Sequence, residues 1–290
     1  MKTLLRLALL LVCLSVVGLV AHRVVFSLLE APPASYVSDA PISQNLPIPE
    51  VVAKSIFIID PDSQTVLYQR NADERLYPAS TTKMMTALVA NEQFSHDQKI
   101  TVTVAYPEGQ DAGFMPGEVI DVENLLYALL VNSANDSAEI LAENWPEGRP
   151  GFVNAMNQKA INLGLKNTFF KNPTGLDEEG HYSSAADLAR IAQELIRHPY
   201  LGKIVSTEAA VVNTTDRSIY HPVTNINELL GHVPGVVGIK TGFTDLAGQS
   251  LVTLVDRDHR RVLVVLLGST DRFADTKSLI DWSYSNFTWD

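Results

Sequence analysis

The chain has 290 residues and a formal net charge of −11, with 22 Lys and Arg against 33 Asp and Glu. This acid excess argues against a nucleic-acid-binding protein, which presents a basic surface to phosphates, and the hydrophobic content of 46% excludes a disordered chain. The length suffices for one large domain or two small ones, and the single cysteine excludes both a disulfide framework and a Cys-based zinc site.

Residues 1–21 predict an export signal. Lys2 and Arg6 precede an uncharged apolar run, 7–21, and a short basic region followed by such a run is typical of a secretory signal peptide. If the run is retained, it is a short N-terminal membrane anchor with its N-terminus in the cytoplasm. Cleaved signal peptide and retained anchor stay open as alternatives, and both place the rest of the chain outside the cytoplasm.

Residues 22–50 predict an extended, Pro-rich linker, because their prolines prevent a helix. These prolines are Pro32, Pro33, Pro41, Pro47 and Pro49. The globular domain is therefore expected over 51–290.

The globular part begins with strands, becomes helical and returns to strands. Ser55–Asp60 predicts a strand, and Thr65–Tyr68 predicts its hairpin partner. The predicted helices that follow are Ser80–Asn91, Val122–Val131, Asp136–Asn144, Phe152–Leu163 and Ala185–Arg197. Ser184 and Asp187 have the spacing of a capping box at the start of the last one. The later elements are strands at Val236–Lys240, Ser250–Asp256 and Arg261–Leu267, then a helix near Asp271–Tyr284. This order predicts one sheet built from both ends of the chain.

Ser80 and Lys83 form the first motif that can carry chemistry. They lie three positions apart at the start of a predicted helix, so the lysine amine can reach the serine hydroxyl. The positive end of the helix dipole also favours an alkoxide-like serine oxygen. A Ser-x-x-Lys pair occurs by chance about once in a chain of this length, so the pair alone is not specific.

Ser133 and Asn135 form the second motif. Residues two apart in extended chain point the same way, which lets Ser133 relay a proton while Asn135 binds a substrate amide. The segment 132–136 is equally well explained as a loop with a helix cap.

Lys240-Thr241-Gly242 is the third motif, at the end of a predicted strand. Lys240 supplies a positive charge and Thr241 a hydroxyl, while Gly242 leaves room for a ligand on the strand edge. A surface lysine followed by a turn glycine is the alternative interpretation.

The three motifs are specific in combination. Ser-x-x-Lys, Ser-x-Asn and Lys-Thr-Gly occur in this order, about fifty and then about a hundred residues apart, as in penicillin-binding proteins and class A β-lactamases. The sequence resembles this superfamily and, within it, the low-molecular-mass penicillin-binding proteins that are serine-type D-alanyl-D-alanine carboxypeptidases. The similarity covers roughly 51–290 and includes the segments 75–87, 125–136, 172–176, 181–188 and 238–248.

The resemblance implies an α+β fold of the β-lactamase/transpeptidase type, with an antiparallel sheet flanked by a helical subdomain that carries the nucleophile. It implies that Ser80 attacks the penultimate D-alanine carbonyl of a peptidoglycan stem peptide, that Lys83 is the base, and that Ser133 passes the proton to the leaving D-alanine. The expected substrate-binding residues are Asn135, Lys240, Thr241, Gly242 and Phe243, with the backbone N–H groups of Ser80 and Phe243 as oxyanion hole.

The same resemblance implies β-lactam antibiotics as covalent inhibitors and a location in the periplasm or on the outer face of the bacterial cytoplasmic membrane. No metal or other cofactor is expected, and His181 and His221 are expected to be loop or core residues. Lys83 must be neutral to act as a base, although a free lysine has a pKa near 10.4. Burial and the nearby charge of Lys240 are expected to lower that pKa.

Two departures from the relatives bear on function. Several members carry a second, β-rich domain and a C-terminal membrane helix, whereas this chain stops at Trp289-Asp290, so any membrane attachment is expected at the N-terminus. The Glu-x-x-Leu-Asn loop that carries the deacylating glutamate of β-lactamases is not found; acids occur at 177–179, but the sequence does not place them near Ser80.

Three other functions stay open beside the carboxypeptidase. An endopeptidase that cleaves the D-alanyl cross-link would use the same residues. The missing glutamate loop disfavours a β-lactamase, and the three intact motifs disfavour a non-catalytic cell-wall-binding module.

Overall fold

The computed structural model describes residues 40–106 and 108–289. The predicted signal peptide or anchor, 1–21, and the first part of the predicted linker, 22–39, lie outside these residues. Across the described ranges, no helix combines the length and the apolar character needed to cross a membrane.

The central feature is a five-stranded sheet in the order β3-β2-β10-β9-β8, with every neighbouring pair antiparallel. Its strands are β2 (Ser55–Asp60), β3 (Thr65–Arg70), β8 (Val236–Thr244), β9 (Gly248–Arg257) and β10 (Arg260–Ser269). The N-terminal hairpin therefore pairs with the C-terminal strands. The predicted α+β fold, with a sheet formed from both chain ends, is confirmed.

Strand β2 shows why the sheet has a layer on each face. All six of its residues are buried, and successive side chains point to opposite faces. Phe57 and Ile59 pack in the core shared with the helical region. Ile56 and Ile58 pack in a second core beneath the C-terminal helix.

The helices between the strands form the larger layer. They are α1 (Lys83–Gln93), α2 (Val122–Val131), α3 (Asn135–Glu143), α4 (Gly148–Asn162), α5 (Ala185–Arg197) and α6 (Pro199–Val205), and the C-terminal helix on the other face is α7 (Arg272–Asn286). Helix α2 lies deep in this layer, with Leu125, Leu126 and Leu129 fully buried. Such a helix carries apolar residues on most of its surface, which matches its sequence.

Small elements that the sequence did not predict surround this framework. They are the strands β4 (Lys99–Thr101) and β5 (Val119–Asp121), the hairpin strands β6 (Ala209–Asn213) and β7 (Tyr220–Thr224), and helix α6. Each is seven residues or shorter, so its periodicity is too brief to separate from a loop. The strand predicted at Val236–Lys240 continues to Thr244, which places the whole Lys-Thr-Gly motif inside β8.

Ser184 caps helix α5 as predicted, because its side chain accepts a hydrogen bond from the Asp187 N–H at 3.2 Å. The other half of the capping box is replaced. The Asp187 carboxylate instead accepts from the backbone N–H of Asn167 at 2.7 Å and from the hydroxyl of Thr168 at 2.8 Å.

The described part of the predicted linker, 40–50, runs along the end of α7. A short strand, β1 (Ile42–Ser43), pairs with β11 (Phe287–Thr288). The Leu46 N–H donates to Asn286 Oδ1 at 2.7 Å, and Trp282 Nε1 donates to the Leu46 carbonyl at 3.2 Å. These bonds attach residues 42–46 to the C-terminal helix.

Candidate active site

Ser80 and Lys83 lie together at the start of α1. A short 3₁₀ turn, Ala79–Thr82, precedes the helix, so the predicted helix at Ser80 begins with this tighter turn. The Nζ atom of Lys83 lies 3.1 Å from Ser80 Oγ. Lys83 has no exposed surface. The predicted reach of the lysine to the serine hydroxyl is therefore present in the structure.

The Lys83 amine has three polar neighbours and no water-exposed side. Besides Ser80 Oγ, it contacts Asn135 Oδ1 at 2.6 Å and the Thr174 carbonyl oxygen at 2.8 Å. Both of these oxygens accept hydrogen bonds only. A neutral amine can donate its two N–H bonds to them and keep its lone pair for the Ser80 hydroxyl.

Burial lowers the pKa of Lys83 to about 7, although the nearby carboxylates of Asp136 and Glu139 act in the opposite direction. This corrects the expectation that the charge of Lys240 would be a main cause. Repulsion between the two lysines instead contributes to a lowered pKa of Lys240, after burial and before the charge of Arg272.

The loop that brings Thr174 to Lys83 depends on Gly175. This glycine has φ +88°, and a side chain there would overlap the carbonyl oxygen of Ala79. Ala79 itself has φ +50° and is fully buried, a conformation that is costly for a residue with a Cβ. The backbone is thus strained one residue before Ser80, where the two segments touch.

Ser133 and Asn135 differ from the extended geometry that the sequence suggested. Ser133 has φ +60° in the connection between α2 and α3, and Asn135 is the first residue of α3. Ser133 is buried, and its Oγ makes no hydrogen bond within the described residues. The Asn135 side chain joins Lys83 to the carbonyl of Glu108, to which its Nδ2 donates at 2.8 Å.

Asp136 holds a loop beside Asn135. Its buried carboxylate accepts hydrogen bonds from the backbone N–H groups of Ala112, Gly113 and Phe114, at 3.0 to 3.2 Å. Burial raises the pKa of this carboxylate, and the N–H bonds oppose that shift. Because every partner donates, the arrangement suits the ionised form.

Lys240 and Thr241 of β8 are buried and have few hydrogen-bond partners among the described residues. Lys240 is 1% exposed, and its Nζ donates one bond, to the Thr241 carbonyl at 3.2 Å. Thr241 Oγ1 is buried and makes no hydrogen bond within the described part of the chain. Buried polar groups are normally paired, so these two can accept a ligand without breaking other contacts.

Gly242 lies in close contact with the nucleophile turn, which the sequence did not suggest. A side chain there would lie 3.1 Å from Ala79 Cβ and 3.2 Å from the backbone nitrogen of Ser80. The space on this strand edge is therefore occupied by the nucleophile turn rather than left for a ligand. Phe243, which follows, has 59% of its surface exposed.

Arg272 was missed in the sequence analysis and lies at this edge. Its Nη1 donates to the Gly242 carbonyl at 2.9 Å, and its Nε is buried without a hydrogen-bond partner among the described residues. The residue opens α7, far from the three motifs in sequence, so no spacing rule could find it. It adds a second cation beside Lys240.

His181 and His221 are buried, as expected of core residues. His181 Nε2 lies 3.0 Å from Thr82 Oγ1, and burial lowers its pKa to about 4, so it is neutral at pH 7. His221 Nε2 lies 2.8 Å from Glu118 Oε2. Within the ranges that the structure describes, no three His, Cys, Asp or Glu side chains are grouped closely enough to share a metal ion.

Comparison with known proteins gives a consistent match. The family model described as D-alanyl-D-alanine carboxypeptidase, peptidase S11, matches residues 42–271. The chain is 37% identical over 246 residues to D-alanyl-D-alanine carboxypeptidase DacF of Bacillus subtilis, covering 81% of this chain and 63% of that protein. It is 32% identical over 274 residues to DacA of Escherichia coli, covering 88% of this chain and 66% of that protein.

A solved structure matches over nearly its full length. The Streptomyces K15 DD-transpeptidase superposes with a TM-score of 0.78 at 29% identity, covering 83% of this chain and 100% of that chain. The curated relatives are longer, and the chain spans about two thirds of their length. By its sequence and its fold, the chain belongs to the D-alanyl-D-alanine carboxypeptidase family of serine peptidases.

Proposed function

We propose that this protein is a serine-type D-alanyl-D-alanine carboxypeptidase that removes the terminal D-alanine of peptidoglycan stem peptides through an acyl-enzyme. The observation that carries the proposal is the environment of Lys83. Its amine is buried, lies 3.1 Å from Ser80 Oγ and has both other contacts occupied by acceptors. This is the arrangement of a serine activated by an adjacent base.

In the acylation step, Ser80 Oγ attacks the carbonyl carbon of the penultimate D-alanine. Lys83 takes the hydroxyl proton, which a neutral amine with a pKa of about 7 can do at neutral pH. The backbone N–H groups of Ser80 and Phe243 stabilise the oxyanion. Support comes from the close approach of their segments, since Gly242 packs directly on the turn that contains Ser80.

Collapse of the tetrahedral intermediate breaks the peptide bond and releases D-alanine. The leaving amine needs a proton. Ser133, the serine of the Ser-x-Asn motif, passes this proton on from Lys83. The Ser133 hydroxyl is buried and has no hydrogen-bond partner among the described residues. This supports a role in which the hydroxyl forms its hydrogen bonds only when substrate is bound. Water then hydrolyses the ester, with Lys83 and Ser133 as proton carriers.

Substrate recognition rests on the cations at the β8 edge. Lys240, Thr241 and Arg272 hold the terminal carboxylate, and Asn135 binds the substrate amide with its remaining N–H. Burial lowers the pKa of both Lys240 and Arg272. A bound carboxylate favours the charged form of each side chain and so opposes this effect. The site thus selects peptides that end in a free carboxylate.

The same chemistry makes β-lactam antibiotics covalent inhibitors, because they acylate Ser80 and clear slowly. The protein acts on the cell wall outside the cytoplasm, where residues 1–21 direct it. A membrane attachment through the N-terminus is the alternative to cleavage of that segment.

Two assays test the function. A fluorescent penicillin should label the wild type and fail to label Ser80→Ala; labelling that survives the substitution would refute Ser80 as nucleophile. Product analysis with defined monomeric and cross-linked muropeptides should then show release of terminal D-alanine from the monomers. Cleavage of cross-links alone would identify an endopeptidase. Rapid turnover of penicillin would identify a β-lactamase, and the absence of product from both the monomeric and the cross-linked muropeptides would identify a non-catalytic binding module.

A further inference from the structure

Asp177, one of the acids that the sequence left without a role, joins the loop that contacts Lys83 to the end of β8. Its Oδ1 accepts a hydrogen bond from Thr244 Oγ1 at 2.6 Å, and its Oδ2 accepts from the Leu246 backbone N–H at 3.2 Å. Thr244 is the last residue of β8, and Leu246 lies in the connection to β9; residues 243–247 are called the 243–247 turn. Both carboxylate oxygens of Asp177 therefore accept hydrogen bonds from the 243–247 turn.

The loop that carries Asp177 is fixed to the helix of the nucleophile. Thr174 accepts from Lys83 through its carbonyl, and Thr86 Oγ1 of α1 donates to the Pro173 carbonyl at 2.6 Å. Asn172, which is buried, folds the loop on itself by accepting from the Gly175 N–H at 2.8 Å and donating to the Leu176 carbonyl at 3.1 Å. Asp177 thus projects from a well-anchored segment.

The base of the 243–247 turn is paired with β9, Phe243 with Gln249 and Thr244 with Gly248, whereas its tip has few contacts among the described residues. Phe243 and Leu246 have 59% and 60% of their surface exposed, so their side chains contribute little packing. Within the turn, Thr244 Oγ1 also accepts from the Ala247 N–H at 3.1 Å. The Thr244 hydroxyl therefore links the fold of the turn to the Asp177 carboxylate.

We propose that Asp177 is a positioning residue. Its two hydrogen bonds to Thr244 and Leu246, called the latch, connect the 243–247 turn to the loop that contacts Lys83. They thereby keep the Phe243 N–H aligned with Ser80. The proposal rests on the proposed function for its effect on acylation, but the latch itself is a property of the fold. Asp177 touches no reacting atom; it acts through Thr244 and Leu246.

The first experiment measures acylation by a fluorescent penicillin, separating the affinity of the initial complex from the acylation rate. Asp177→Ala should acylate about tenfold more slowly, since outright loss of an oxyanion donor costs ~10²–10³ and this change only misplaces one. The initial affinity should stay within about twofold, because Lys240, Thr241 and Arg272 are untouched. Asp177→Asn keeps one acceptor for Thr244 and should recover part of the rate.

A matched control is available two residues away. Glu179 is exposed, carries the same charge, and its side chain makes no hydrogen bond among the described residues. Glu179→Ala should acylate like the wild type. An equal loss of acylation rate in Glu179→Ala and Asp177→Ala would mean that the negative charge, and not the hydrogen bonds of Asp177, causes the effect. That result would overturn the latch.

A double-mutant cycle tests the route of action. Thr244→Val removes the hydroxyl, and the Asp177→Ala/Thr244→Val protein should be no slower than the slower single variant. Losses that multiply in full would mean that Asp177 does not act through Thr244.

Amide hydrogen exchange of the 243–247 turn reads the latch without any catalysis. In Asp177→Ala these amides should exchange about fivefold faster than in the wild type, which is the order expected for loss of a hydrogen bond, and Glu179→Ala should leave them unchanged. Unchanged exchange in Asp177→Ala would refute the latch. A wild type that penicillin does not label would refute the proposed function, and the exchange result would still decide the latch.

Discussion

Lys83 Nζ lies 3.1 Å from Ser80 Oγ, and the other two neighbours of that amine can only accept hydrogen bonds. The geometry orients the amine before substrate arrives. Its lone pair has one direction left, toward the serine hydroxyl. Asn135 Oδ1 and the Thr174 carbonyl thus orient the amine, and burial, which lowers its pKa to about 7, supplies the neutral form that the reaction uses.

Lys83→Arg should lower the rate of acylation by at least about a hundredfold, the usual contribution of a general base. Arginine keeps the positive charge but cannot be deprotonated in a protein. The rate of labelling by a fluorescent penicillin measures the effect, with thermal unfolding as the check that the variant is folded. Acylation at the wild-type rate by a folded Lys83→Arg would exclude Lys83 as base.

The acylation rate should rise with pH through about 7, because Lys83 must lose its proton first and burial lowers its pKa to about 7. The carboxylates of Asp136 and Glu139 raise that pKa. Their removal should therefore move the acid limb of the pH–rate profile to lower pH. Asp136→Asn should shift the acid limb further than Glu139→Gln. Glu139→Gln should disturb folding less, because it alters a partly exposed ion pair with Arg149.

A shift of the acid limb to higher pH in either variant would contradict this assignment. A limb that stays near pH 7 in Lys83→Gln, should that variant retain any activity, would assign the titration to another group.

Arg272→Gln should lose the preference for substrates with a free terminal carboxylate. The guanidinium is adjacent to Gly242, and its Nε has no partner among residues 40–106 and 108–289, so it can add a charge-assisted bond to the carboxylate. Turnover of a D-alanyl-D-alanine peptide should be compared with that of its C-terminal amide. We expect kcat/KM for the acid to fall about tenfold and that for the amide to change little.

Equal losses on the acid and the amide would mean that Arg272 supports the strand rather than the carboxylate. Arg272→Lys retains the charge and should preserve part of the preference.

Gly175→Ala should destabilise the protein strongly and abolish acylation. The added methyl group would overlap the Ala79 carbonyl oxygen, and the glycine has φ +88°. Gly117→Ala is the matched control, since Gly117 has φ +96° but no atom within 4 Å of the new methyl group. It should cost only about 1–2 kcal/mol, the backbone cost of a left-handed residue.

Chemical denaturation of both variants measures the difference. If the two alanines cost the same free energy of unfolding, then the contact with Ala79 does not constrain the loop.

The sequence predicted the sheet, most helices and the three motifs because these features follow from short-range patterns. The apolar runs of β2 and α2 are each long enough to recognise. The spacing of Ser80 and Lys83 fixes their contact, since both lie in a single turn of chain.

Other parts of the site depend on contacts between distant segments. Ser133 has a positive φ that only its surroundings impose, so the extended geometry assumed for it was wrong. The third neighbour of Lys83 is a backbone carbonyl, that of Thr174, and any residue type could supply it. Arg272 and Asp177 reach the site through the fold alone, and neither stands in a motif that marks its role.

The pairing of β2 with β10 has a consequence for how the protein is made. Ile58 pairs with Val264 in the middle of the sheet, so β2 leaves the ribosome long before the strand with which it pairs. Contacts between such distant positions slow folding, because a large loop must close before they form. Strand β8 joins the sheet only through β9, and its Gly242 packs against the turn that contains Ser80. A chain that lacks β8, β9 and β10 therefore has no complete candidate site, and we expect reactivity with a fluorescent penicillin to report that these strands have been made and paired.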